Sequence, residues 1–214
     1  MENNVSNGTA SMISKSAFET IKRKHGGYAS WAVWAPGGAR PKSGMGDLSV
    51  FETDAVLDLL KPNVVMLALN VSKSIALLPP FSNFHAAGNA HDYKTRYAFT
   101  GSEYYGAYMT DIIKILDEMD ASKAMRHLAA HPELLVESLR IFRDEMKDLG
   151  NSRPVILAFG DHAYRLARKH LRPEEYRLLV RLPHYSRRIS QEDYKELVFK
   201  QIAAQALAEE EVTT

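Results

Sequence analysis

Four short apolar runs along the chain predict the strands of one sheet. Residues 64–69, 106–113 and 154–159 are largely apolar with no regular alternation, and residues 178–182 form a shorter run of the same kind. Such continuous runs are typical of strands that are covered on both faces. The aromatic and β-branched segment 28–35 also predicts a strand.

Helical periodicity separates these runs. The clearest helix begins at Pro132 and ends at Gly150. Its apolar residues recur every three or four positions and form one stripe that faces the sheet; they are Leu135, Leu139, Phe142, Met146 and Leu149. Shorter helices are predicted at residues 16–24 and 161–170, and a C-terminal helix after Ser190. Strands alternating with helices predict an α/β fold with three layers around a doubly wound, mostly parallel sheet.

The chain of 214 residues suits a single domain. Residues 1–14 are small and polar and predict a disordered tail, which leaves residues 15–214 as one α/β domain. No apolar run is long enough to cross a membrane, and the N-terminus lacks the pattern of a signal peptide. The absence of cysteine excludes disulfides, thiolate zinc sites, cysteine-ligated iron–sulfur clusters and a cysteine nucleophile. We therefore expect a soluble cytoplasmic protein with no membrane partner and no cofactor.

Charge changes this picture only locally, because the formal net charge is +1. Residues 162–188 hold eight Arg or Lys side chains and only two acids, Glu174 and Glu175. Such a local excess suits an anionic ligand, and a solvated helix and loop surface is the alternative.

Several familiar sites are absent from the sequence or weakly supported. Lys42 and Ser43 follow Pro41, where a phosphate-binding P-loop needs glycine, and no G-x-S-x-G nucleophile elbow occurs. His85, His91 and Asp92 match no strong metal-binding spacing. We expect surface histidines there and no metal site.

Polar residues follow each predicted buried strand. In α/β sheets, ligands bind beyond the carboxyl ends of the strands. The polar residues that parallel strands would bring to this edge are Asn70, Ser72, Asp111, Asp161, His184 and Ser186.

The order of these clusters resembles the uracil-DNA glycosylase superfamily. The similarity covers about residues 64–194 and consists of five ordered pieces: Asn70-x-Ser72, a loop aromatic, Tyr108-Met-Thr-Asp111, Ala158-Phe-Gly160 and His184-x-Ser186. The resemblance implies a hydrolase that breaks the N-glycosidic bond of a base extruded from DNA. The lack of cysteine restricts it to branches without an iron–sulfur cluster.

The resemblance also implies a role for each residue. Asn70 would hold the attacking water and His184 would donate to the departing base. Phe84 would stack on the base (Phe81 is the other candidate), and Asp111 would read its edge. Substrate contacts are also expected from Ser72 and Ser186, and phosphate contacts from Arg181, Arg187 and Arg188.

The sequence departs from the family pattern at several positions. Tyr185 and Val71 stand where the family commonly has proline, and Asp111 stands where it usually has asparagine. An ionised aspartate only accepts hydrogen bonds, so we predict poor excision of uracil unless Asp111 is protonated. Residues 92–99 have no clear counterpart, and Lys94 and Arg96 within them would either touch phosphates or form the wet face of a helix.

Other interpretations stay open at this point. Asn70 could cap a turn, Phe84 could belong to the core, and Asp111 could pair with Lys114. His184 could be an ordinary loop residue. A protein that binds nucleic acid or nucleotides without catalysis is the main alternative, followed by an unrelated α/β hydrolase or nucleotide-binding domain. DNA is the expected partner ahead of a free nucleoside or nucleotide, and the sequence does not indicate an oligomeric state.

Overall fold

A computed structural model describes residues 13–71, 79–86, 90–116, 118 and 120–213, with side chains up to residue 208. Within this part of the chain, five strands form one sheet in the order β1-β3-β2-β4-β5. Strands β2 to β5 are parallel, and β1 pairs with β3 in the antiparallel sense. The strands are β1 Ser30–Trp31, β2 Lys61–Asn70, β3 Ala107–Ile113, β4 Val155–Phe159 and β5 Leu178–Leu182.

Helices cover both faces of the sheet. The helices are α1 Lys15–Lys24, α2 Asp92–Phe99, α3 Ala121–Ala130, α4 Pro132–Asp148, α5 Asp161–His170 and α6 Gln191–Thr213, with short 3₁₀ turns at Ser49–Phe51, Asp54–Leu59 and Pro173–Glu175. Helices α1, α3, α4 and α5 pack on one face, which we call the α4 face. Helices α2 and α6 pack together on the other, which we call the α6 face. The predicted three-layer α/β architecture is confirmed at this level.

Each strand divides its side chains between the two cores. Along β2, Val65 and Leu67 enter the core of the α4 face, whereas Met66 and Ala68 enter that of the α6 face. Both faces of β2 are therefore apolar, which explains why its sequence shows no alternation. The same alternation directs Asn70, two residues after Ala68, to the α6 face.

The predicted elements agree with the structure except near the N-terminus. Only Ser30–Trp31 of the segment 28–35 pairs as a strand. Two residues of the expected tail are part of the fold: Ile13 is buried in the core, and the Ser14 hydroxyl caps α1 by accepting from the Ala17 N–H at 3.2 Å. Residues 1–12 lie outside the described residues.

A polar cluster is buried between β3 and α4. The ammonium group of Lys114 lies 2.5 Å from the Glu145 carboxylate, and neither side chain is exposed to solvent. The other carboxylate oxygen of Glu145 accepts from the Tyr108 hydroxyl at 2.8 Å and from the Thr110 hydroxyl at 2.7 Å. Lys114 therefore forms its ion pair with Glu145 and not with Asp111, the partner that the sequence left open.

No helix in the described part of the chain is long and apolar enough to span a membrane.

Candidate active site

The predicted site residues follow the parallel strands at their carboxyl ends. Asn70 is the last residue of β2, Asp111 lies near the end of β3, and His184 comes two residues after β5. The connection from β2 leads to β3 on one side, whereas the connection from β4 leads to β5 on the other. The sheet therefore has a topological switch point between β2 and β4, which is where such folds form a ligand crevice.

His184 is held in one orientation and one protonation state. Its Nδ1 accepts a hydrogen bond from the Ser186 N–H at 3.1 Å, and the Ser186 hydroxyl lies 2.8 Å from the same nitrogen. Burial, with a smaller contribution from His91, lowers the pKa of His184 to about 4. A neutral ring whose Nδ1 is an acceptor carries its proton on Nε2. His184 is therefore a neutral hydrogen-bond donor at pH 7.

The ring of His184 is fixed by its neighbours. It stacks on the Tyr185 ring with centroids 4.3 Å apart, and Tyr185 packs edge-on against Phe159 at 5.5 Å. Gly160 also lies against His184, because a Cβ at Gly160 would be 3.4 Å from the His184 Cβ and 3.5 Å from its Cδ2. Gly160 also has a φ of +84°, a conformation that favours glycine. Tyr185 thus serves as a support for the His184 ring.

Asp111 is buried beside a second polar residue, Asn83. Only 2% of Asp111 is exposed, and its Oδ2 accepts from the Asn83 amide at 2.8 Å. The same amide donates to the Tyr28 carbonyl at 2.6 Å, so both of its hydrogens are used. Burial raises the pKa of Asp111 to about 7, against the opposing effects of Asn83 and the nearby Lys114. Both protonation states of Asp111 are therefore accessible near neutral pH.

The carboxamide of Asn70 has a fixed orientation. Its Nδ2 donates to the Glu118 carbonyl at 2.5 Å and to the Val71 carbonyl at 3.2 Å. These bonds tie the end of β2 to the loop after β3, as the turn-capping alternative requires. They also leave Oδ1 as the acceptor that Asn70 can offer to another molecule.

The two candidate aromatic residues differ in their surroundings. Phe81 is fully buried and packs against Phe18 and Phe51 at centroid distances of 5.4 and 5.2 Å. Phe84 adjoins Asn83 and is buried in the core of the α6 face. Both have positive φ values, 67° and 64°, in a region that is strained for bulky side chains. Phe81 lies in the core of the α4 face, whereas Phe84 lies with Met109 in that of the α6 face, to which alternation along β3 also directs Asp111. Phe84 is therefore the better candidate.

The remaining predicted residues have different environments. Ser72 lies outside the described residues. Ser186 is exposed, and its hydroxyl and backbone N–H both contact His184 Nδ1. Arg181 pairs with Asp161 of α5 at 2.7 Å, whereas Arg187 and Arg188 are exposed in the loop after β5. Their contacts with phosphate stay predictions.

Helix α2 contains Lys94 and Arg96, for which the sequence left two roles open. Lys94 is only 3% exposed and donates to the carbonyls of Arg187 and Ile189 at 2.6 and 2.8 Å. Arg96 donates to the carbonyls of Pro41 and Ser43 at 2.6 and 2.8 Å. Neither cation forms the wet face of a helix. Each holds a loop, and Lys94 holds the one that carries His184.

The expectation of surface histidines in this region is wrong for His85 and is confirmed for His91. His85 is buried, with Nε2 3.2 Å from the Trp31 carbonyl, and burial lowers its pKa to about 4. His91 is exposed, and Asp92 accepts from the Ala86 N–H at 3.0 Å. No group of three His, Cys, Asp or Glu side chains in the described residues is arranged to hold a metal ion.

Comparison of the chain with protein-family models, with curated proteins and with solved structures gives no match.

Proposed function

We propose that this protein hydrolyses the N-glycosidic bond of a base turned out of DNA. The observation that supports the proposal most is the state of His184, a neutral imidazole with its Nδ1 satisfied by Ser186. Its remaining N–H is a preorganised donor on a ring that lies against Gly160, directly after β4. Such a donor suits a reaction in which negative charge develops on a leaving group.

The reaction needs a donor and a held water. When the C1′–N bond breaks, its electron pair stays on the base, and a hydrogen bond from His184 Nε2 stabilises that charge. Water then forms the new C1′–O bond, and the proton that it loses passes through solvent to the base anion, which leaves as the neutral base. The Oδ1 of Asn70 can accept a hydrogen bond from this water and orient it. Because a neutral amide is a very weak base, Asn70 positions the water and does not remove its proton.

Recognition of the base is assigned to Asp111 and Phe84. Ionised Asp111 offers acceptors only, whereas protonated Asp111 can donate to a carbonyl oxygen as asparagine does. With a pKa of about 7, uracil excision should be weak above neutral pH and improve as the pH falls to 6. In Asp111→Asn, uracil excision at pH 8 should increase. Loss of uracil excision in Asp111→Asn at both pH values would contradict this assignment.

A base-binding protein without catalysis is the second candidate. It is favoured by the bonds between Asn70 and two backbone carbonyls, since these suffice to explain a structural role. The two functions differ in one product, because only the enzyme creates abasic sites.

The proposal is tested with a set of oligonucleotides that carry uracil, deaminated purines or alkylated bases. Alkali-labile sites should appear with at least one base for the wild type and for the control His127→Ala, which alters an exposed residue of α3. They should be lost or slowed in His184→Ala. Binding by gel shift without any alkali-labile site would support the second candidate. Neither binding nor cleavage would exclude both.

A further inference from the structure

Two loops on opposite sides of helix α2 share a construction that the proposed function does not explain. Loop 36–46 is held by Arg96 of α2 through the carbonyls of Pro41 and Ser43. Loop 183–190 is held by Lys94 of α2 through the carbonyls of Arg187 and Ile189. In both loops a cation of the same helix binds backbone oxygen atoms, which fixes the path of the loop.

Both loops present cations and contain no acid. Arg40 and Lys42 are exposed in loop 36–46, and Arg187 and Arg188 are exposed in loop 183–190. Neither range contains Asp or Glu. With the backbone of each loop anchored from inside, the exposed side chains of each loop add two positive charges to the surface. Two basic loops fixed to one helix form an electropositive rim.

Loop 36–46 lies close to the His184 site. The ammonium of Lys42 is 5.4 Å from the centre of the Tyr93 ring, in the first turn of α2. The His91 and Tyr93 rings are 6.3 Å apart. The neighbours Lys94 and Lys42 add to burial in lowering the pKa of His91, and His91 in turn lowers that of His184. Lys94 and Arg96 are two positions apart on α2, so the two loops that they hold meet the same short helix.

We propose that loop 36–46 binds backbone phosphates of the DNA strand that enters the His184 site, through Arg40 and Lys42. The Arg187–Arg188 pair binds phosphates on the other side of the same nucleotide. Phosphate contacts on both sides would hold the strand while its base is extruded, which a single basic loop does less well. This inference rests on the proposed function only in taking DNA as the ligand.

The test measures binding of a fluorescein-labelled single-stranded 20-mer by anisotropy between 50 and 300 mM KCl. For single strands, each phosphate contact adds about 0.7 to the slope of log affinity against log salt. Arg40→Gln/Lys42→Gln should therefore lower the slope by about 1.4, and Arg187→Gln/Arg188→Gln should do the same. The control Lys147→Gln/Arg153→Gln removes two exposed cations near the amino end of β4 and should keep the wild-type slope.

Two further variants guard against misfolding of loop 36–46. Arg40→Gln alone should lower the slope by about half as much, and Lys42→Arg should bind as the wild type does. An Arg40→Gln/Lys42→Gln slope equal to that of the wild type overturns the inference, as does the absence of wild-type binding at 50 mM KCl. Salt-dependent binding without any abasic product would reject the proposed excision and leave this inference standing.

Discussion

The substitution Asp111→Asn should stabilise the protein, and the gain should grow with pH. In the native structure, burial raises the pKa of Asp111 from an ordinary value of 3.8 to about 7. The unfolded state therefore loses its proton at lower pH than the folded state does. A carboxyl with a raised folded pKa makes the protein less stable as the pH rises from about 4 to about 7, and the loss is complete above about 7. An asparagine has no such titration and can still accept from Asn83.

The magnitude follows from the difference of about three pH units between the two states, at about 1.4 kcal/mol per unit. Ionised Asp111 thus lowers the free energy of unfolding by about 4 kcal/mol at pH 8. At pH 5 only the unfolded state is largely ionised, and the loss is about 1.5 kcal/mol. The difference in stability between Asp111→Asn and the wild type should therefore increase by about 2 to 3 kcal/mol from pH 5 to pH 8.

Urea denaturation of both proteins at pH 5, 6, 7 and 8 measures this difference. Titration of the buried histidines His85 and His184 affects both proteins equally and cancels in the comparison. Asp58→Asn, which removes an exposed carboxylate, is the matched control and should stay parallel to the wild type. A constant offset between Asp111→Asn and the wild type over this range would refute the reasoning, because it would show that Asp111 titrates alike in both states.

Three further substitutions test the supports of the site. Lys94→Met should destabilise the protein by about 2 to 3 kcal/mol in urea and speed amide exchange in residues 184–190, because two backbone carbonyls lose a charged donor; unchanged exchange would show that Lys94 does not hold the loop. Lys114→Met should destabilise by about 3 to 5 kcal/mol by leaving the Glu145 carboxylate buried without a cation, and Lys114→Met/Glu145→Gln should recover more than half of that loss; a double variant less stable than Lys114→Met would contradict this explanation. Gly160→Ala should lower stability by about 1 to 3 kcal/mol, because a φ of 84° with a ψ of 166° is a backbone conformation that is essentially restricted to glycine, and an unchanged midpoint would count against strain at that turn.

The parallel strands could be predicted because burial on both faces leaves a clear record in the sequence. The apolar run of β2 and that of β4 need no partner to be recognised, since every position is apolar whichever face it occupies. The start of the chain was harder. Residues 32–35 are apolar and buried. Ala32 still pairs with the start of β3, since its N–H donates to the Ala107 carbonyl at 2.8 Å and its carbonyl accepts from the Gly106 N–H at 2.9 Å, but residues 33–35 do not continue the strand. The apolar composition of this segment predicts that it is buried, but it does not predict whether its backbone pairs with another strand.

Helix α2 shows why part of the site could not be predicted. Its buried positions include Asp92, Lys94 and Thr95, whose polar side chains predict the solvent side although their spacing places them with Ala98 and Phe99. They are buried because Lys94 meets carbonyl groups about ninety residues later in the chain, and no local pattern encodes that contact. Glu145, in the last turn of α4, could not be predicted for the same reason, because its partner Lys114 lies in another part of the chain.

The pair of His184 and Ser186 is the opposite case. The two residues are only two positions apart, so the sequence already brings the hydroxyl and N–H of Ser186 close to the ring. Asn83, which donates to Asp111, could not be predicted in this way, because the two residues are 28 positions apart in the sequence. Local spacing could predict the donor, whereas the surroundings that set the pKa of Asp111 required the structure.

The most direct test of the account is the single-turnover rate of base excision by His184→Ala. The measurement uses the base that the wild type excises best, with enzyme in excess and His127→Ala as the control. Loss of one preorganised donor should slow excision by about 10²- to 10³-fold, whereas DNA affinity should change little because the donor acts mainly in the transition state. An excision rate equal to that of the wild type would contradict the central claim that His184 stabilises the departing base.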